Sequence, residues 1–119
     1  MIKKIYPPAP LEEDEQKTLV EYLELKKLRF TAIPNSTWTP SMAQKVKNKA
    51  MGLRSGLPDM ILLLPDRILF LELKRVKGGV SSPAQQEWQA ALNKIPNVTA
   101  VTCHGAGQAI HTIEEFLKK

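Results

Sequence analysis

Leu19, Leu23 and the flanking Val20 recur at helical spacing behind four consecutive acids, Glu12, Glu13, Asp14 and Glu15. This pattern predicts an amphipathic helix over residues 11–28, with its acids at the positive end of the helix dipole. Before it, Pro7, Pro8 and Pro10 exclude regular helix, so residues 1–10 read as an extended arm leading into one domain over 11–119. Residues 30–34 alternate, with Phe30, Ala32 and Pro34 on one face of a short strand. Asn35, Ser36 and Thr37 make a turn. Thr39-Pro40 then predicts a helix start, with Met42, Val46 and Ala50 inward and an end at Gly52.

The centre changes period. Residues 57–64 and 68–73 are almost wholly apolar and flank Pro65-Asp66, which predicts a tight hairpin. Both runs are apolar on both faces, so other elements should cover the sheet. Ser82-Pro83-Ala84-Gln85 combines a capping serine, a first-position proline and a glutamine three residues on. The helix it opens carries Ala84, Trp88, Ala91, Leu92 and Ile95 as a stripe, which places Trp88 in the core. A strand over 98–103, a turn at Gly105 and Gly107, and a last helix capped by Thr112 complete the chain. The order helix, strand, short helix, hairpin, helix, strand, helix is that of an α/β sandwich with a mixed sheet.

Composition narrows the chemistry. At 119 residues the chain has material for one core. Its 17 Lys and Arg against 12 Asp and Glu give a net charge of +5, which suits a polyanionic partner without requiring one. One cysteine, Cys103, rules out an internal disulfide and a Cys-rich zinc site, and His104 and His111 add little toward one. No apolar run is long enough to span a bilayer, and the opening residues do not form a signal peptide. A reducing cytoplasmic setting is expected.

The charges that interrupt the apolar runs carry the candidate chemistry. On the second hairpin strand Ile68, Phe70, Glu72 and Lys74 share one face, while Leu69, Leu71 and Leu73 share the other. Glu72 and Lys74 thus point the same way at the end of a buried strand. There they either pair with each other or serve a site. Asp59 opens the neighbouring strand just after Pro58, and a hairpin brings it toward Glu72. Two converging carboxylates need a proton or cation between them. Mg²⁺, with oxygen ligands and retained waters, is the natural occupant, and the main-chain carbonyl of Leu73 is a third donor. An ammonium at Lys74 would stabilise charge on a phosphate.

Gln85 completes its capping box and also stands where an amide can face the site. On the first helix Glu12 lies about 20° from Leu19 and Leu23, and Glu15 about 60° from Glu12, so Glu12 is the better aimed and Glu15 the runner-up. Lys45, Lys47, Lys49 and Arg54 form the most basic stretch and are candidate phosphate contacts. Lys3, Lys4, Arg75 and Lys77 add to it. A solvated set of lysines reads equally well. Cys103 fits a buried strand end better than a nucleophile.

The runs Gly52-Leu53-Arg54-Ser55-Gly56-Leu57-Pro58-Asp59, Phe70-Leu71-Glu72-Leu73-Lys74 and Ser82-Pro83-Ala84-Gln85 resemble the VRR-NUC domain of the PD-(D/E)xK nuclease superfamily, over roughly residues 12–104. The resemblance implies a restriction-endonuclease-like core with a mixed sheet flanked by helices. It also implies a divalent-metal-dependent DNA endonuclease in which Asp59 and Glu72 bind Mg²⁺ (or Mn²⁺), Lys74 is catalytic, Gln85 belongs to the site and a first-helix glutamate contributes. The small size matches stand-alone phage or bacterial members, which act on branched DNA, Holliday junctions among them, and pair as homodimers. The competing function is a noncatalytic nucleic-acid-binding module on the same fold.

Overall fold

The computed structural model describes residues 12–34 and 39–118. The arm over 1–10 and the turn at 35–37, with Trp38, lie outside them. Eight elements follow in the expected order: α1 (Glu12–Leu25), β1 (Arg29–Ala32), α2 (Met42–Ala50), β2 (Met60–Leu64), β3 (Arg67–Lys74), α3 (Pro83–Leu92), β4 (Val98–His104) and α4 (Ala106–Leu117). The four strands form one sheet in the order β1-β2-β3-β4. β1 and β3 run antiparallel to β2, and β4 is parallel to β3. The mixed sheet flanked by helices is thus present.

The core lies on one face. Leu19 and Leu23 of α1 and Ala109 and Ile113 of α4 close over Met60, Leu62, Leu69 and Leu71, all fully buried. Each buried leucine contributes about 1.5–3 kcal/mol. Tyr22 hydroxyl donates to Glu114 at 2.7 Å and fixes α1 against α4. That bond, with Lys26 at 3.5 Å, holds the Glu114 carboxyl below its ordinary value, while burial first, and then the bond to Glu114, keeps the Tyr22 phenol well above its own. On the opposite face, among the described residues, α3 packs beside β4, and Leu63 is left at 45% and Ile68 at 36% exposure.

Several local expectations are corrected. α1 stops at Leu25 because Lys27 takes the left-handed conformation (φ 56°), and Leu28 N–H reaches Leu23 carbonyl at 3.1 Å, a Schellman cap without glycine. α2 is capped by Ser41, whose hydroxyl accepts from Gln44 N–H, rather than by Thr39. Met42 (73% exposed) and Val46 (67%) face solvent, because among the described residues no other element packs extensively on α2. Trp88 is half-buried outside the core, with its indole N–H on Ser55 carbonyl at 3.1 Å. α3 turns Gln89 and Asn93 to β4 instead, and Asn93 holds both main-chain groups of Ala100.

The largest correction is at the last helix. Thr112 lies in its middle, and Gly105 and Gly107 are not a separate turn: α4 starts at Ala106 with Gly105 as its N-cap at φ 91°. The cap comes from another helix. Glu15 of α1 accepts the Ala106 N–H, and a Cβ at Gly105 would meet that same carboxylate and Val76. An acid at a helix N-terminus is favoured by both the unpaired N–H groups and the helix dipole.

Candidate active site

β2 and β3 place the two acids at adjacent strand ends. The register pairs Met60 with Leu71, yet Asp59 N–H also donates to Leu71 carbonyl, at 3.1 Å. Two residues of one strand therefore oppose one of the other, the signature of a β-bulge, which re-aims the extra side chain. Asp59 directly precedes β2, whose first residue is Met60. It reaches in from the strand end, and its Oδ2 accepts the main-chain N–H of Leu73 at 2.7 Å.

N–H and C=O of one strand residue point to the same side, and successive residues alternate. Lys74 carbonyl accepts from Gly105 N–H, on the β4 side. Leu73 therefore offers its carbonyl on the Asp59 side, where the sequence reading wanted a third oxygen donor.

Glu72 is 1% exposed, on the face covered by α3. Its Oε2 accepts from Ser81 hydroxyl at 2.9 Å and from Thr102 hydroxyl at 3.5 Å, while Oε1 is buried with no hydrogen-bond partner. Burial pushes the Glu72 carboxyl up; Ser81 and Lys74 act against this, and the Asp59 charge adds to it. Burial likewise raises Asp59, opposed by Leu73 N–H and Lys74 and reinforced by Glu12. Four charged groups thus share one electrostatic neighbourhood. Among the described residues no ion pair within 4 Å joins Lys74 to either acid, so the Glu72–Lys74 pair that the sequence allows does not form.

Glu12 and Asp59 line the same groove of about 630 Å³, together with Glu13, Gln16, Lys17, Val20, Glu21 and Leu73. Glu15 is instead engaged at the α4 N-terminus, which separates the two candidate carboxylates. Glu15→Ala is expected to cost about 0.5–2 kcal/mol of stability in urea unfolding and to leave the activity per folded molecule unchanged. Glu12→Ala should show the reverse.

Gln85 closes the capping box: its Oε1 accepts Ser82 N–H at 2.8 Å and its own N–H reaches Ser82 hydroxyl at 3.2 Å. No hydrogen bond joins it to Glu72 or Lys74. Gly56 explains why the glycine-rich run and the α3 start belong together. It has φ 93°, and a Cβ there would lie 2.7 Å from the Ala84 backbone, so only glycine allows this loop to seat on α3.

Of the basic residues, Lys45, Lys49 and Arg54 line one shallow depression of about 260 Å³, and Lys47 is not part of it. Arg54 also bonds the Lys49 and Leu53 carbonyls at 3.1 Å, finishing the end of α2. Cys103 is buried, its thiol pushed up by that burial.

Sequence reasoning missed Ser81, Gln89 and Thr102, which surround Glu72. The signal available was Thr102 itself, one of two threonine hydroxyls on a strand that also carries Val98, Ala100 and Val101.

Among the described residues no group of three or more His, Cys, Asp or Glu side chains is gathered to hold a metal. The oxygen donors nearest this strand end are the Asp59 carboxylate, the Glu72 carboxylate with its orphaned buried oxygen, whose charge Asp59 feels, and the Leu73 main-chain carbonyl. That set fits a hard cation that keeps several waters, such as Mg²⁺.

The VRR-NUC domain family model matches residues 8–107. A solved structure described as a VRR_NUC domain protein is similar at 23% identity with a TM-score of 0.76, over 94% of this chain and 92% of that one. Among curated proteins none matches. With the bulged aspartate, the buried Glu72 beside Lys74 and the glycine-seated loop in place, and with most of its length matched, the chain belongs to the VRR-NUC domain family.

Proposed function

We propose that this protein is a divalent-metal-dependent deoxyribonuclease that hydrolyses phosphodiester bonds and prefers branched DNA, Holliday junctions included. It is read as one nuclease domain over 11–119 behind the 1–10 arm, pairing as a homodimer in the cytoplasm of a bacterial or phage-infected cell. Among the described residues no helix is long and apolar enough to cross a membrane. The observation that carries the reading is the buried Glu72, whose Oε1 has no partner although it sits within reach of the Asp59 charge.

Asp59, Glu72 and the Leu73 carbonyl would hold Mg²⁺, or Mn²⁺ in its place. When bound, such an ion polarises the phosphate and lowers the pKa of a coordinated water. The protein's own residues supply the rest. Hydrolysis joins a water oxygen to phosphorus and releases a sugar oxygen, and negative charge gathers on the non-bridging oxygens. Lys74, on the Glu72 face and unpaired with either acid, carries the ammonium to meet that charge. Glu12 adds a further acid to the Asp59 groove, and Gln85 is the amide available at the head of α3.

Labelled junction, flap and duplex DNAs incubated with Mg²⁺, Mn²⁺ or EDTA test the reading. Metal-dependent cutting that Asp59→Ala abolishes while DNA binding persists is the expected result. Folded protein that binds DNA but cuts none of these substrates would establish the noncatalytic module instead.

For binding, Lys45 and Lys49 share one face of α2, and each is read as a phosphate contact. Lys45→Gln and Lys49→Gln are each expected to weaken DNA binding across all sequences and to reduce the log–log salt slope by about 1. Fluorescence anisotropy against salt concentration measures it. Lys47→Gln, on the other side of the helix, should change the slope less.

A further inference from the structure

Glu72 is held more firmly than a metal-binding carboxylate needs for burial alone. Ser81 hydroxyl donates to Oε2 at 2.9 Å. Thr102, its lateral neighbour on β4, donates to the same oxygen at 3.5 Å. Behind Thr102 stands Gln89 of α3, whose side-chain N–H donates to Thr102 Oγ1. A threonine hydroxyl has one proton. With Gln89 filling an acceptor position on Oγ1, that proton is free to turn toward Glu72. The two hydroxyls, 3.4 Å from each other, both border Oε2, and Oε1 is left buried and bare. A carboxylate serving only to satisfy the fold would share its donors between both oxygens, because an unpaired buried oxygen costs about 1–3 kcal/mol.

We infer that Ser81 and Thr102, with Gln89 behind Thr102, are positioning residues that saturate one oxygen of Glu72 and present the other, Oε1, to a divalent cation. This rests on the proposed nuclease reading and deepens it: it names the groups that orient one ligand. They come from three separate elements, the loop before α3, β4 and α3 itself, so the carboxylate is oriented only once the sheet and α3 have docked. None of the three touches the reacting phosphate in this reading; they act through Glu72.

The test is Mn²⁺ binding to the DNA-free protein, followed by electron paramagnetic resonance of the free ion, alongside thermal unfolding in EDTA. Outer partners of metal ligands are worth about 10–100-fold in affinity. Ser81→Ala and Thr102→Val are each expected to weaken Mn²⁺ binding within that range. Thr102→Ser, which keeps the hydroxyl, should restore it. Ser81 lies in a loop outside the hydrophobic core, so Ser81→Ala is the variant that separates positioning from folding: its melting temperature in EDTA should stay within a few degrees of wild type. Cleavage by the same variants should recover when Mg²⁺ is raised, since the site is loosened and not removed. Ser81→Ala protein that binds Mn²⁺ as tightly as wild type overturns the inference and leaves the nuclease reading standing. Wild-type protein that binds no Mn²⁺, and cuts equally well in EDTA, overturns both.

Discussion

Lys74→Ala is expected to bind junction DNA with little loss, to bind Mn²⁺ as wild type does, and to cut about 10²–10³-fold more slowly. The expectation follows from what Lys74 does and does not touch. Its main-chain carbonyl is engaged by Gly105 N–H, a bond that alanine retains, so the strand end and the start of α4 stay in place. Its ammonium pairs with neither Asp59 nor Glu72 within 4 Å, so truncation leaves no partner stranded. What is lost is a positive charge that acts on both acids and that the proposed mechanism sets against the charge developing on the phosphate. Lys74→Arg is not expected to rescue fully, because a planar guanidinium does not reproduce a compact ammonium. Single-turnover cleavage at saturating enzyme separates the chemical step from binding. A Lys74→Ala protein that cuts at the wild-type rate would remove this residue from the mechanism.

What the chain alone revealed, and what it did not, divides by the range of the interaction. The hairpin at Pro65-Asp66, the Ser82 capping box and the end of α2 at Gly52 are each set by residues a few positions apart, and each was legible. The end of α1 was not, because Lys27 occupies a position that sequence patterns assign to glycine or asparagine. The start of α4 was not, because its cap, Glu15, lies 91 residues away. α2 misled for a different reason. Its apolar positions recur at helical spacing, but periodicity tells which residues share a face and not whether anything covers that face.

The candidate site shows the same division. Asp59, Glu72 and Lys74 stand out as candidates because charges inside apolar runs are conspicuous in the sequence. The bulge that turns Asp59 toward Leu73 N–H was not legible, since alternation assumes unbroken pairing. The parallel register that sets Thr102 beside Glu72 depends on the crossover through α3, and no local signal encodes it. Family membership shows the nuclease-domain fold.

Glu72→Gln should stabilise the protein in EDTA while abolishing its response to metal. The wild-type carboxyl is raised by burial, and one of its oxygens has no partner. Glutamine can turn its carbonyl to Ser81 and Thr102 and place an uncharged amide where Oε1 was, removing the desolvated charge. A gain of about 1 kcal/mol is expected, and about 3–6 °C in melting temperature for a domain of this size. Because the folded pKa lies above the unfolded one, the native state holds the proton more tightly and stability falls as pH rises between the two values. The advantage of Gln is therefore complete above the folded pKa and disappears below the unfolded one. Added metal reverses the ranking. At 100-fold above its dissociation constant, Mn²⁺ should stabilise wild type by about 2.7 kcal/mol and the variant by almost nothing. Thermal unfolding at several pH values, with EDTA or Mn²⁺, thus gives two curves that cross. A Glu72→Gln protein that melts lower than wild type in EDTA would mean the carboxylate is needed by the fold itself. One that gains as much as wild type from Mn²⁺ would place the cation elsewhere.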